Sequence, residues 1–182
     1  MKVFNFGAIF PLSICLFSAA CESKPEEASV GTEDVDIAKG LDKLLSVETA
    51  SEVAGFPAAD ATLEYTPDAK YPQTEVLTYS WENGRKRMSG SIEIATSDTV
   101  KFGWVRESAL AAMEAKVTNP SFKDFMEKMD GVGDYAIWNS RDKQLIVLSG
   151  KKEFSVWVNV SADEAVNKAK SIELAKKLLG KI

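Results

Sequence analysis

A two-residue alternation of apolar and polar side chains limits what this chain can fold into. Between residues 153 and 160, the apolar residues Phe154, Val156 and Val158 occupy every second position. The polar residues Ser155 and Asn159 occupy positions of the other set. Successive side chains of a strand point to opposite faces, so this pattern predicts a strand with one face in a core. A similar alternation covers residues 75–81. Shorter extended runs predict strands at 62–66, 100–105, 134–139 and 144–148.

Two turn signals indicate how these strands connect. Asn83-Gly84 lies between the extended runs 75–81 and 85–96, and this dipeptide is the strongest short-range signal for a hairpin. We therefore expect those two runs to pair with each other, with Gly90 marking a bulge. Gly150-Lys151 predicts a second hairpin between the last two runs.

Helical periodicity separates these strand runs. Residues 36–45, 46–55 and 107–117 each carry apolar side chains at helical spacing. Asn119-Pro120 is a typical helix start. It precedes an apolar stripe that predicts a helix ending at Gly131, formed by Phe122, Phe125, Met126 and Met129.

The last helix has the clearest start signal. Ser161 and Glu164 form a capping-box pattern. The stripe that we expect to be buried consists of Ala165, Ala169, Ile172, Ala175 and Leu179.

These elements predict an α+β fold, with an antiparallel sheet and helices packed on one face. Tyr79-Ser80-Trp81 and residues 135–138 each precede a hairpin and then a helix. Two interpretations stay open: a duplicated strand–strand–helix unit, or two similar solutions to one packing problem.

The first 20 residues have the features of an export signal. Lys2 precedes an apolar stretch over residues 4–17, and the small residues Ser18, Ala19 and Ala20 follow. The apolar stretch is shorter than the roughly 20 residues that a membrane-spanning helix needs.

Ser18-Ala19-Ala20-Cys21 resembles the lipobox of bacterial lipoproteins. The family pattern has an aliphatic residue at the position that Ser18 occupies. The resemblance implies that Cys21 is lipidated and becomes the first residue of a protein anchored in the cell envelope, on the outer membrane or on the periplasmic face of a bacterial membrane. The alternative is plain secretion after cleavage at Ala20. The expected organisation is a signal peptide (1–20), a tether (21–34) and a single globular domain (35–182).

Composition excludes several classes of chemistry. The chain has 22 Lys and Arg against 27 Asp and Glu, and loss of the signal, with its single base, changes the net charge from −5 to −6. Nucleic acid is therefore not an expected partner. The chain has no His, and its two cysteines are Cys15 and Cys21. We expect no disulfide, no metal site and no cofactor in the domain.

Binding is the function that these residues favour. The candidate residues for contact with a ligand or partner are Arg85, Lys86, Arg87 and Trp157. The expected role is a binding or accessory module that meets a membrane through its anchor and has a possible protein partner in the envelope. No catalytic residue is assigned. The alternative is a hydrolase that uses the carboxylates of Asp130 and Asp134, which flank the loop Gly131-Val132-Gly133.

Overall fold

The computed structural model of the chain describes residues 40–66 and 75–182, which belong to one compact unit, Asp34–Ile182. The signal, the tether and Cys21 lie outside the described residues. The elements in chain order are α1 (Leu41–Leu44), α2 (Val47–Ala54), a 3-10 turn (Ala58–Asp60), β1 (Thr62–Thr66), β2 (Val76–Trp81), β3 (Lys86–Ser89), β4 (Ile92–Ala95), β5 (Asp98–Glu107), α3 (Leu110–Thr118), β6 (Met126–Met129), β7 (Tyr135–Asn139), β8 (Gln144–Ser149), β9 (Lys152–Asn159) and α4 (Glu164–Leu179).

Seven strands form one antiparallel sheet in the order β1-β2-β5-β9-β8-β7-β6, and β3 and β4 form a separate two-stranded ribbon. The predicted α+β fold, with helices packed on an antiparallel sheet, is confirmed. The second predicted hairpin is also confirmed, because Ser149 and Lys152 pair across a turn in which Gly150 has a φ of 59°.

The main core lies on one face of the sheet, which we call the helix face. It contains Val100, Phe102, Val156 and their cross-strand neighbours, together with the buried side chains of α1, α2 and α4. Burial of this continuous apolar surface is the main contribution to stability.

α3 packs on the opposite face of the sheet. Its Met113 is fully buried against Ile137, Ile146 and Leu148, which alternate with the residues of the helix face. α1, α2 and α4 therefore share one face, as predicted, whereas α3 covers part of the other face, which was not predicted. Because α3 contacts β6 and β7 whereas α4 contacts β8 and β9, the two halves of the chain do not repeat the same helix placement.

A buried ion-pair cluster joins α3 to the sheet. Glu153 of β9 is 2% exposed, and its Oε1 accepts hydrogen bonds from Lys116 Nζ at 2.7 Å and from Arg106 Nε at 3.0 Å. Burial by itself raises the pKa of Glu153. Hydrogen bonds from Lys116, Arg106 and Ser108 outweigh burial and hold the pKa below its ordinary value.

The predicted helix ending at Gly131 is wrong. Residues 120–125 form turns, with the Phe125 N–H donating to the Phe122 carbonyl at 3.0 Å, and Met126–Met129 is strand β6. β6 pairs with β7 over its whole length. A helix here would leave the edge of β7 unpaired, so pairing with a distant strand outweighs the local helical pattern.

The predicted hairpin at Asn83-Gly84 is wrong as well. β2 pairs with β1 and β5, and the chain after Gly84 leaves the sheet to form the ribbon. The ribbon turns at Gly90, whose φ is 63° and which is therefore a turn residue rather than a bulge. Asn83 has a different role from the one predicted. Its Oδ1 accepts from the Arg85 N–H at 3.2 Å, and its amide nitrogen contacts Asp98.

The last helix starts later than predicted, and only part of the predicted stripe is buried: Ala175 is buried, and Ile172 and Leu179 are half-buried and pack against the main core. Asp163 is the N-cap, accepting from the Ala165 N–H at 2.8 Å. Ala165 is exposed, as is Ala169. The buried positions are Asn167, Ser171, Leu174, Ala175 and Leu178.

Polar groups on this buried face are paired. Asn167 accepts from the N–H groups of Val160 and Ser161 and donates to the Ser161 carbonyl at 2.8 Å. The Ser171 hydroxyl donates to the Asn167 carbonyl at 2.9 Å. Asn167 therefore fixes the connection between β9 and α4.

Candidate ligand-binding cleft

A cleft of about 1040 Å³ lies on the sheet face opposite the helix face. Its floor is formed by β1, β2, β5 and β9, and the ribbon and the turns after β7 and β9 also line it. We call it the ribbon cleft. Its lining residues are Glu64, Thr66, Val76, Thr78, Arg85, Lys86, Arg87, Met88, Thr96, Thr99, Lys101, Asp142, Lys143, Trp157, Val158, Asn159, Ser161 and Ala162.

One cross-strand row forms the centre of the floor. Glu64 pairs with Thr78, Thr78 with Lys101, and Lys101 with Trp157. Thr99 and Asn159 form the neighbouring pair. Because the alternate positions of the same strands are occupied by the apolar core, the strand pattern itself makes this floor polar. Lys101 is the one cation in the central row, two strands away from Glu64, or about 10 Å along the hydrogen-bonding direction.

Arg85 attaches the base of the ribbon to the sheet. Its guanidinium donates to the Asn159 carbonyl at 3.0 Å and to the Ser161 carbonyl at 3.3 Å, and its Nε contacts the buried carboxylate of Asp98. Both oxygens of Asp98 are engaged, since Asn83 contacts the other one. Arg85 is therefore committed to holding the ribbon rather than to binding a ligand.

The other cations of the cleft take less part in ion pairs within the protein. Lys86 pairs with Glu93 of the ribbon at 2.8 Å, and both side chains are more than half exposed. In residues 40–66 and 75–182, no ion pair involves Arg87, Lys101 or Lys143. Among the described residues, the lining has five cations, and its carboxylates are Glu64 and Asp142. An excess of positive charge in a concave site is suited to an anion.

Lys143 is positioned by an asparagine turn. Asn139 is buried at the end of β7, and its Oδ1 accepts from the N–H groups of Arg141 at 3.1 Å and Asp142 at 3.2 Å. Its amide donates to the Asp142 carboxylate at 2.8 Å. Lys143 follows with a φ of 51°, a left-handed conformation that is uncommon for a residue with a side chain.

All four residues that the sequence indicated as candidates for binding, Arg85, Lys86, Arg87 and Trp157, line this one cleft. Their role in binding stays a prediction. Sequence reasoning missed Lys101 and Lys143. The available signal for Lys101 was its place between Val100 and Phe102, which puts it on the polar side of an alternating strand.

The carboxylates of the hydrolase alternative lie elsewhere. Asp134 accepts from the Gly150 N–H at 2.6 Å and so stabilises the turn between β8 and β9. Asp130 is exposed, and neither side chain lines the ribbon cleft. Asp134 therefore has a structural contact and no catalytic partner in the cleft.

Within the part of the chain that the structure describes, no group of three or more His, Cys, Asp or Glu side chains is arranged to hold a metal ion. Of the helices described, none has the length and apolar character needed to cross a membrane.

Comparison with known proteins finds no matching family model, and no curated protein or solved structure is significantly similar to the chain.

Proposed function

We propose that this chain is a binding protein, anchored in the cell envelope through Cys21, whose ribbon cleft takes up an anionic ligand. The observation that carries the proposal is the grouping of Arg87, Lys101 and Lys143 in one cleft, with no ion-pair partner among the described residues. A phosphate or carboxylate group supplies the negative charge that these three side chains lack.

The position of Lys101 favours binding in the cleft over loose attraction to the surface. Its side chain is half-buried in the middle of a polar sheet face, between Thr78 and Trp157. A partly desolvated cation interacts more strongly with a ligand anion than a fully solvated one. The chain as a whole is acidic, with a formal charge of −5, so this basic site is local.

The remaining lining indicates a ligand larger than a simple ion. Thr78, Thr96, Thr99 and Asn159 supply hydroxyl and amide groups next to the cations. The volume of about 1040 Å³ is at the upper end of small-molecule sites. We therefore favour an anionic small molecule that also carries hydrogen-bonding groups.

The envelope location rests on the sequence alone. The apolar stretch over residues 4–17, the small residues before Cys21 and the resemblance to a lipobox support export and lipidation. An anchored binding protein keeps its cleft near the membrane, whereas plain secretion would release it.

Calorimetric titration tests the cleft with inorganic phosphate, glycerophosphate and glucuronate as probes. The mature chain with Cys21→Ser is soluble material free of acyl chains, and Lys101→Thr in that chain removes the central cation. We expect at least one probe to bind and Lys101→Thr to weaken it about 10- to 100-fold, the value of one charge-assisted contact.

Lys152→Thr is the matched control, because Lys152 is an exposed strand lysine that does not line the cleft. It should leave the affinity unchanged. Equal affinity of the Lys101→Thr and parent chains, or no binding of any probe, would contradict the proposal.

A further inference from the structure

The ribbon formed by β3 and β4 carries the most exposed apolar side chains of the described chain. It hydrogen-bonds within itself and belongs to neither edge of the main sheet. Met88 is 63% exposed and Ile92 is 65% exposed, more than any other large apolar residue described. An isolated two-stranded ribbon is marginally stable in water, and exposed apolar side chains add nothing to its stability. Both side chains are therefore accessible to a contact outside the chain, and Met88 also lines the ribbon cleft.

The register places these two side chains together near the turn. Ser89 pairs with Ile92, and Met88 pairs with Glu93, so Met88 and Ile92 point to opposite faces of the ribbon on either side of Gly90. Each face of the ribbon end therefore carries one exposed apolar side chain, Met88 beside Glu93 on one face and Ile92 beside Ser89 on the other. Such an end suits insertion into an apolar layer better than packing flat on a protein surface.

Two cations lie next to this apolar end, on the side away from the turn. Arg87 and Lys86 precede Met88 by one and two residues, which is about 3–7 Å along the strand. Both are exposed. When apolar side chains enter the boundary between headgroups and acyl chains, cations at this distance lie at the depth of the phosphates. Glu93 is the one carboxylate on the ribbon strands and pairs with Lys86.

We propose that the end of the ribbon inserts Met88 and Ile92 into an anionic phospholipid surface, with Arg87 and Lys86 at the headgroups. Charge complementarity favours this occupant. The whole chain is acidic, so an anionic bilayer repels most of the molecule and attracts this basic ribbon, which orients the ribbon toward the membrane.

The proposed anchor brings such a surface within reach, and in this respect the inference rests on the proposed function. The chain between Cys21 and Gly40 can span at most about 65 Å when fully extended. A domain of this size has a diameter of about 40 Å, so an anchored chain can present any of its faces to the bilayer.

The experiment uses the mature chain with Cys21→Ser, which has no acyl group. Cys15 is lost with the signal, so this chain has no cysteine and accepts a single reporter. Ile92→Cys carries an environment-sensitive nitrobenzoxadiazole label, and Leu63→Cys, at an apolar side chain that is 41% exposed, is the matched control. The vesicles are mixed phosphatidylglycerol and phosphatidylcholine, or phosphatidylcholine alone.

We expect the label at Ile92 to shift to the blue with the anionic vesicles and the label at Leu63 to stay unchanged. The double variant Met88→Ser, Ile92→Ser should lower the partition coefficient at least tenfold in co-sedimentation, while its melting curve stays that of the parent. Lys101→Thr should leave vesicle binding intact, which separates this contact from the cleft.

Three results would overturn the inference. The first is an unchanged label at Ile92, or an equal shift at Leu63. The second is loss of vesicle binding in Lys101→Thr to the same extent as in the double variant, because the cleft would then hold the membrane. The third is a dimer in light scattering that the double variant abolishes, since the ribbon would then contact a second copy. An unmodified Cys21 together with vesicle binding would reject the anchor and keep the ribbon contact.

Discussion

Replacing Glu153 with Gln tests how the sheet holds α3. The substitution keeps the shape of the side chain and removes its charge. The carboxylate of Glu153 is buried, since the side chain is 2% exposed. It accepts hydrogen bonds from two cations, Lys116 at 2.7 Å and Arg106 at 3.0 Å. Lys116 belongs to α3 and Arg106 to β5, which means that the loss affects the packing of that helix on the sheet.

The magnitude follows from the two cationic partners. A hydrogen bond to a charged group contributes about 1 kcal/mol more than one between neutral groups, so the two partners together contribute about 2 kcal/mol. Arg106 is 39% exposed and Lys116 is 23% exposed, and solvent screening reduces this contribution. We expect Glu153→Gln to lower the free energy of unfolding by roughly 1–2 kcal/mol at neutral pH, or about 3–6 °C in the melting temperature.

The pH dependence of the stability difference between the parent and Glu153→Gln tests the predicted direction of the effect separately. The folded-state pKa of Glu153 lies below its ordinary value of 4.5. A carboxyl with a lowered pKa stabilises the fold above the unfolded-state pKa and loses that contribution as the pH falls through the folded-state pKa. The difference between the parent and Glu153→Gln should therefore be full at neutral pH, begin to shrink near pH 4.5 and disappear in stronger acid.

The assay is urea unfolding of residues 34–182 followed by tryptophan fluorescence at several pH values. Glu127→Gln is the control, because Glu127 is 62% exposed in its ion pair with Lys168 and should contribute less than about 1 kcal/mol. Equal stability of Glu153→Gln and the parent at neutral pH would refute the reasoning, as would a difference that persists unchanged below the folded-state pKa.

Three further predictions concern the core, the sheet and the anchor. Leu174→Ala, at a fully buried position of α4, should cost about 2–5 kcal/mol in urea unfolding, whereas Val166→Ala, at an exposed position of the same helix, should cost less than about 0.5 kcal/mol. Similar costs for the two would mean that α4 packs by another face. Gly103→Ala should destabilise the chain by roughly 3 kcal/mol in the same assay, because a Cβ would overlap the carbonyl of Glu75; a stable variant would contradict that close approach. The intact mass of the mature chain should include lipid on Cys21, and a free thiol there would reject the lipoprotein hypothesis.

The local elements of this fold could be predicted where one physical signal dominates. β2 and β9 follow from period-two alternation, and α2 follows from its Ser46 cap and its Gly55 end. Gly150 predicted its hairpin because a glycine was needed at a positive φ between two adjacent strands. In each case the residues that decide the structure are close neighbours in the chain.

The predictions failed where a distant partner decides the conformation. Met126–Met129 has a helical apolar pattern but becomes a strand because β7 supplies its hydrogen bonds. α4 buries Asn167 and Ser171, which hydropathy assigns to the surface, because the end of β9 needs the Asn167 amide. A pattern of hydropathy has no information about these hydrogen bonds.

The features of the ribbon cleft could also be predicted only in part. Its basic cluster at Arg85–Arg87 and the polar setting of Trp157 are visible in the sequence, and so is the export signal. Only the tertiary structure joins Trp157 to Lys101 and reveals that Arg85 is already bound to Asn159. Lys101 and Trp157, which pair between β5 and β9, are 56 positions apart in the chain. The chain itself thus determined which residues carry charge and which strands alternate, while long-range strand pairing decided which charges meet in one cleft, because register depends on partners that no local pattern specifies.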